Sequence, residues 1–141
     1  MPRDEVVFFV DRCLGAHTVP DALRGAGAKV EVHGDHFAPD ASDPAILRFV
    51  GARGWVFLSK DENIRRRPAE RDALVEAKVA AFILTAGRAK GDAIAAAFIA
   101  ALDRMRRVCG AYSRPVIATV SAVGTVVVRE GVRRGAVRRD R

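Results

Sequence analysis

The sequence is poor in the residues that mark secreted, metal-knuckle and membrane proteins. Its only cysteines, Cys13 and Cys109, stand far apart with no CxxC spacing. That argues against a disulfide framework or a zinc knuckle and makes a reducing compartment the default. Long hydrophobic runs are missing too. The longest uncharged apolar stretch, residues 93–102, falls well short of the ~20 residues needed to span a bilayer. The charged opening, residues 1–5, leads into a five-residue apolar run, shorter than the ~7–15 of an export signal. The expectation is a cytoplasmic protein with no membrane partner. Aromatics are few, one Trp, one Tyr and seven Phe, so the apolar mass is largely Ala and Val, as where helices pack closely on a β-branched sheet. No internal repeat or low-complexity segment interrupts the chain.

What is there fits one globular domain. The 141 residues are 50% hydrophobic and 29% charged, a mix with enough apolar mass for one core. The net charge of +7 is unevenly placed. Residues 129–141 carry six arginines against Glu130 and Asp140, so four of the seven charges belong to that end. This divides the chain into a domain over residues 1–128 and a basic, flexible tail over 129–141. A basic balance permits nucleic-acid binding without demonstrating it.

Strand and helix patterns alternate. Residues 6–10 form an unbroken apolar run, the habit of a strand covered on both faces. Thr18 can cap a helix that stops at Gly25 and Gly27. Residues 29–33 alternate like a strand. Asp43-Pro44 opens a helix with Asp as cap and Pro at the first helical position, ended by Gly51 and Gly54. Residues 55–58 read as a third strand, 68–78 as a helix and 80–85 as a fourth strand. Asp92 can cap a long helix in which Ile94, Phe98, Leu102, Met105 and Cys109 recur at spacings of three and four. Residues 116–120 and 125–128 suggest a terminal hairpin across Gly124. The order implies an α/β fold around a mainly parallel sheet of four to five strands.

In such sheets, sites form beyond the carboxyl ends of the strands. Asp11 and Asp61 each follow a buried apolar strand, and Asp43 can reach the same edge from its loop. Three carboxylates brought together repel one another unless a cation neutralises them. All-oxygen ligation suits Mg²⁺ or Mn²⁺, which can activate water and stabilise charge on a phosphodiester. Each acid has a plainer reading as well: a turn residue at Asp11, a helix start at Asp43, a polar loop at Asp61. Lys60, Arg65, Arg66 and Arg67 could hold an RNA backbone through charge, or form a solvated face paired with Glu70 and Asp72.

The ordered set is more telling than any member. Val7-Phe8-Phe9-Val10-Asp11-Arg12, then Leu14-Gly15, Val19-Pro20-Asp21-Ala22-Leu23-Arg24 and Gly27, resembles the opening of PIN-like domains. Asp43-Pro44-Ala45-Ile46-Leu47 resembles the family's second acidic position. Gly54-Trp55-Val56-Phe57-Leu58-Ser59-Lys60-Asp61 resembles its third, and Ile64-Arg65-Arg66-Arg67-Pro68 a subgroup of VapC-type toxins. The resemblance covers residues 6–128. It implies a three-layer α/β/α sandwich and a metal-dependent endoribonuclease using Asp11, Asp43 and Asp61 with Mg²⁺ or Mn²⁺. It further implies an RNA substrate, a cognate antitoxin as partner and compatibility with a homodimer. Many members add a fourth acid after the next strand. Here that strand runs into Leu84-Thr85-Ala86-Gly87, and Asp92 reads more simply as a helix cap.

Other candidates carry less. His33-Gly34-Asp35-His36 lacks a third soft ligand at a zinc-site spacing, and residues 87–92 lack the GxxxxGK[ST] order of a P-loop. Cys13 has no histidine partner in sight and reads as a buried thiol. A receiver domain needs paired acids after the first strand, and a haloacid-type phosphatase needs DxD there; Asp11-Arg12-Cys13 supplies neither. The alternative to a nuclease is a PIN-like module that binds RNA or protein without cutting.

Overall fold

The structure, a computed structural model, describes residues 6–86 and 88–135. Six strands form one sheet: β1 (Val7–Val10), β2 (Lys29–Val32), β3 (Val56–Ser59), β4 (Ala80–Leu84), β5 (Tyr112–Val120) and β6 (Val126–Arg133). Their spatial order is β2-β1-β3-β4-β5-β6, parallel except for β6, which runs antiparallel to β5. The helices are α1 (Thr18–Gly25), α2 (Asp43–Arg53), α3 (Asn63–Arg66), α4 (Pro68–Glu76) and α5 (Gly91–Ala111).

The unbroken apolar strands are explained by cover on both faces. Phe8, Val10, Val56, Leu58 and Phe82 pack with Val19 and Leu23 of α1 and Ile94, Phe98 and Met105 of α5. Their neighbours in sequence, Phe9, Phe57, Ala81 and Ile83, point the other way, onto Ile46, Leu47 and Val50 of α2 and Leu74 of α4. Two cores on either side of one sheet make the three-layer α/β/α sandwich.

The strand count exceeds the four to five expected from sequence. The terminal hairpin is not a separate feature, because β5 pairs in parallel with β4, from Ala80 opposite Val116 to Leu84 opposite Val120. The hairpin also runs further than its valines suggested. Arg129–Arg133, assigned to the tail from their charge, lie in β6: Arg133 pairs with Tyr112 and Val132 with Ser113. Arg129 donates to Thr119 Oγ1 at 3.1 Å, and Glu130 pairs with Arg71 of α4. Charge marks solvent exposure, and an edge strand tolerates it on its open side. Residues 136–141 of the expected tail lie outside the described residues.

Three helix starts differ in detail. Thr18 is the first residue of α1, with His17 at the cap position. Lys90, not Asp92, occupies the cap position of α5, leaving Asp92 in the first turn. Ser42 caps α2 by accepting from Ala45 N at 3.3 Å, which makes Asp43 the first helical residue.

Helix α2 packs against the end of α4 at Gly51. A Cβ there would sit 2.8 Å from Ala77 Cβ and closer still to the Ala77 carbonyl oxygen. Ala is the better helix former by about 1 kcal/mol, but overpacking against backbone costs about 1–3 kcal/mol. Gly51→Ala should therefore lower stability, read as a urea midpoint below that of the wild type. An unchanged or higher midpoint would mean that the two helices separate freely.

Candidate active site

Chain order reverses at β1. The chain passes outward to β2, then returns to place β3 on the other side of β1. Loops leaving β1 and β3 therefore diverge and open a crevice at their carboxyl ends, the position where open α/β sheets bind ligands. Val10 lies opposite Leu58, and Asp11 N donates to the Leu58 carbonyl at 3.0 Å. The two strands thus deliver Asp11 and Asp61 to one edge.

Asp11 is buried, 8% exposed. Its Oδ1 accepts from Arg12 N at 2.8 Å, closing the 3-10 turn Arg12–Leu14. Its Oδ2 accepts from Ser59 Oγ at 2.8 Å. Ser59 is fully buried as the last residue of β3, and its Oγ also accepts from Asp61 N at 3.1 Å. One hydroxyl therefore ties the first acid's side chain to the third acid's backbone. Asp61 Oδ1 in turn accepts from Asn63 N at 3.0 Å, turning the chain into α3. Ser59 had no assigned role in the sequence reading. The available signal was a hydroxyl ending an otherwise apolar buried strand, where it must find partners.

Asp43 comes from α2. Because Ser42 takes the capping bond, the Asp43 carboxylate makes no hydrogen bond among the described residues. Burial raises its pKa first, then the negative charges of Asp11, Asp61 and Glu70; the Arg12 guanidinium opposes them. The three acids picked from sequence are thus within electrostatic reach of one another. Glu70, in the first turn of α4, joins them as a fourth acid that strand-end reasoning could not supply. They do not form a closed ligand shell: among the described residues, no three His, Cys, Asp or Glu side chains stand together as a metal-holding group. Asp11 spends its oxygens on Arg12 N and Ser59 Oγ, and Asp61 spends one on Asn63 N.

The basic residues divide. Arg65 and Arg66 both pair with Glu62, at 3.2 and 3.3 Å, at the cap position of their own short helix rather than with Glu70 or Asp72. Arg67 is exposed. Lys60 lines a cleft of about 390 Å³ with Cys13, His17, Lys90 and Gly91, and neither lysine makes an ion pair among the described residues. Lys90 was not singled out from sequence, because only the start of α5 folding beside Lys60 gives it meaning. Cys13, expected to be buried, is exposed as a residue. Its sulfur is nonetheless tucked 3.3 Å from Ser59 Oγ and 3.5 Å from Asp11 Oδ2. Burial, and then the Asp11 charge, raise its pKa and keep it a thiol.

Residues 6–86 match the family model described as "PIN like domain". The chain belongs to the PIN-like domain family. That segment of the PIN-like domain contains Asp11, Asp43 and Asp61, and ends just after β4. A Mycobacterium tuberculosis protein named "Putative ribonuclease VapC45" is 33% identical over 116 residues, covering 79% of this chain and 83% of the relative. The resemblance to VapC-type PIN-like domains seen in the sequence is thereby borne out. No solved structure matches the chain significantly.

The raised pKa of Asp43 carries a sign. Its folded value lies above its unfolded one, so its contribution is favourable while it is protonated and is lost as pH rises through the folded pKa. Asp43→Asn should therefore melt at a higher temperature than the wild type at pH 7. The gap should close near and below about pH 4, the ordinary range for Asp. A variant that melts lower at pH 7 would show the charged carboxylate to be structural.

Proposed function

We propose that this PIN-like domain is an endoribonuclease, the toxin of a toxin–antitoxin pair, cutting RNA phosphodiesters with a divalent cation held by Asp11, Asp43 and Asp61. The carrying observation is the switch-point crevice, where Asp11 and Asp61 are coupled through Ser59 and both raise the pKa of the unbonded Asp43 carboxylate. Like charges only partly offset by Arg12 at the mouth of a crevice form a receptor for a cation, and carboxylate-only donors suit Mg²⁺ or Mn²⁺. Such an ion supplies an activated water and neutralises charge developing on the phosphate. The named relative, at 33% identity, supports the ribonuclease reading.

The chain's own residues have distinct parts in this reading. Ser59 and Arg12 N orient the Asp11 carboxylate before any ligand arrives. Asp43, bonded to nothing among the described residues, is the acid freest to reorient. Lys60, with Lys90 across the cleft, offers the backbone phosphates a positive wall beside the acids. Arg65 and Arg66 keep Glu62 as partner until RNA competes for them, and Arg67 is open to solvent. The partner is a cognate antitoxin protein, as the resemblance implies. A homodimer has footing on exposed Ile99, Val123, Val127 and Val132 at and near the β6 edge of the sheet. Among the described residues no helix is long and apolar enough to cross a membrane. A module that binds without cutting draws its support from the acids' failure to converge on one ion-sized point.

Purified protein with Mg²⁺ or Mn²⁺ should cleave RNA. Asp11→Asn and Asp61→Asn should each lower the rate by at least about a hundredfold while keeping a native circular dichroism spectrum. Folded wild-type protein that cuts no RNA with either metal would decide for the binding module. Added Mn²⁺ should also raise the wild-type melting temperature and leave that of Asp43→Asn nearly unmoved. An equal rise in both would remove Asp43 from the ion site.

A further inference from the structure

On the far side of Arg12 from the lysine cleft lies a second cavity, of about 260 Å³. It sits at the carboxyl end of β2 and is walled by Val32, His33, Phe37 and Pro39, with Arg12 and Ala16 at its rim. The volume lies just under the ~300–1,000 Å³ of pockets that take drug-sized molecules, leaving room for one flat ring system. The His33 ring is the unusual wall. The residue is only 5% exposed, packed with ring centroids 6.4 Å from Phe9 and 5.5 Å from Phe37. Its ring nitrogens make no hydrogen bond among the described residues and are not among the buried polar atoms left without a partner, so they stay open to solvent where His33 lines the cavity. Water can meet those nitrogens, and a ligand edge that reproduces its hydrogen bonds can take its place.

We propose that this cavity binds a nucleobase of the RNA substrate, splayed out of its stack beside the cut. Phe37 provides a ring face for stacking and His33 a polar group for the base edge. Arg12 joins the cavity to the acids, since its guanidinium already acts on Asp43 and its neighbour is Asp11. An unstacked base gains from aromatic and guanidinium planes together with edge hydrogen bonds, the usual currency of single-stranded RNA recognition. An apolar side chain of a protein partner would leave the His33 nitrogens unmet, and so fits the cavity less well. The inference rests on the RNA reading above but places a contact outside the acids and lysines.

The test uses the full-length wild type with 2-aminopurine riboside 5′-monophosphate, followed by fluorescence, beside Phe37→Ala and Ala16→Leu. The first variant removes the stacking face; the second fills the cavity from an exposed position, so at least one should stay folded, as checked by thermal melting. The wild type should quench the probe, and each folded variant should bind it about tenfold more weakly, in line with loss of one base–aromatic stack. The KM for RNA cleavage should rise by a similar factor. No quenching by the wild type, or equal binding by the folded variants, overturns the base site and leaves the cavity to a protein ligand. Probe binding without RNA cleavage would sink the nuclease reading and keep the base site. Cleavage without probe binding would do the reverse.

Discussion

The parallel pairing of β1 with β3 is the contact on which the rest of this molecule depends. It sets Val10 opposite Leu58 and lets Asp11 N donate to the Leu58 carbonyl, so two acids distant in sequence leave the sheet at the same edge. It also places the reversal of chain order there, so the following loops part instead of closing over the site. Without that pairing, Asp11 and Asp61 are two ordinary strand-end acids.

The Ser59 hydroxyl refines what the pairing makes coarse. Buried at the end of β3, it donates to Asp11 Oδ2 and accepts from Asp61 N. A satisfied buried hydroxyl is rigid, because either lost partner leaves a desolvated polar group. Asp43 is the opposite case: Ser42 relieves it of capping, its carboxylate is unbonded among the described residues, and its charge is resisted by burial and then by three other acids. A site made of two oriented acids and one loose, strained acid can close around a cation at small structural cost.

Around this acidic centre the surface is divided by the short segment from Arg12 to Ala16. Lys60 and Lys90 lie on one side of it, a largely apolar aromatic cavity on the other. Charge on one flank and a stacking surface on the other are what the proposed RNA reading asks of the two halves of a nucleotide. The segment holds its line because Asp11 caps its turn and Gly15, at φ 90°, turns the chain out of it in a conformation that a side chain would resist.

Much of this was legible in the residues alone. The apolar runs at β1, β3 and β4 announced a sheet covered on both faces, since only a buried strand dispenses with alternation, and the acids just beyond two of those runs marked the candidate edge. Helix starts were less readable: Ser42 and Asp43 are both good caps, and local propensity cannot choose between them. The tail boundary misled because arginine content reports exposure, and an exposed edge strand is as charged as a loop. Ser59, Glu70, Lys90 and His33 gained meaning only in three dimensions. The sequence by itself determined the layered α/β class and the family, and it nominated the three aspartates, because periodicity and strand-end chemistry are local. Only the tertiary structure decided which acids couple, which hydroxyl joins them and where the cavities lie. Those depend on strand order and on contacts between residues far apart in the chain, such as Asp11 and Ser59, 48 positions apart, which no local pattern encodes.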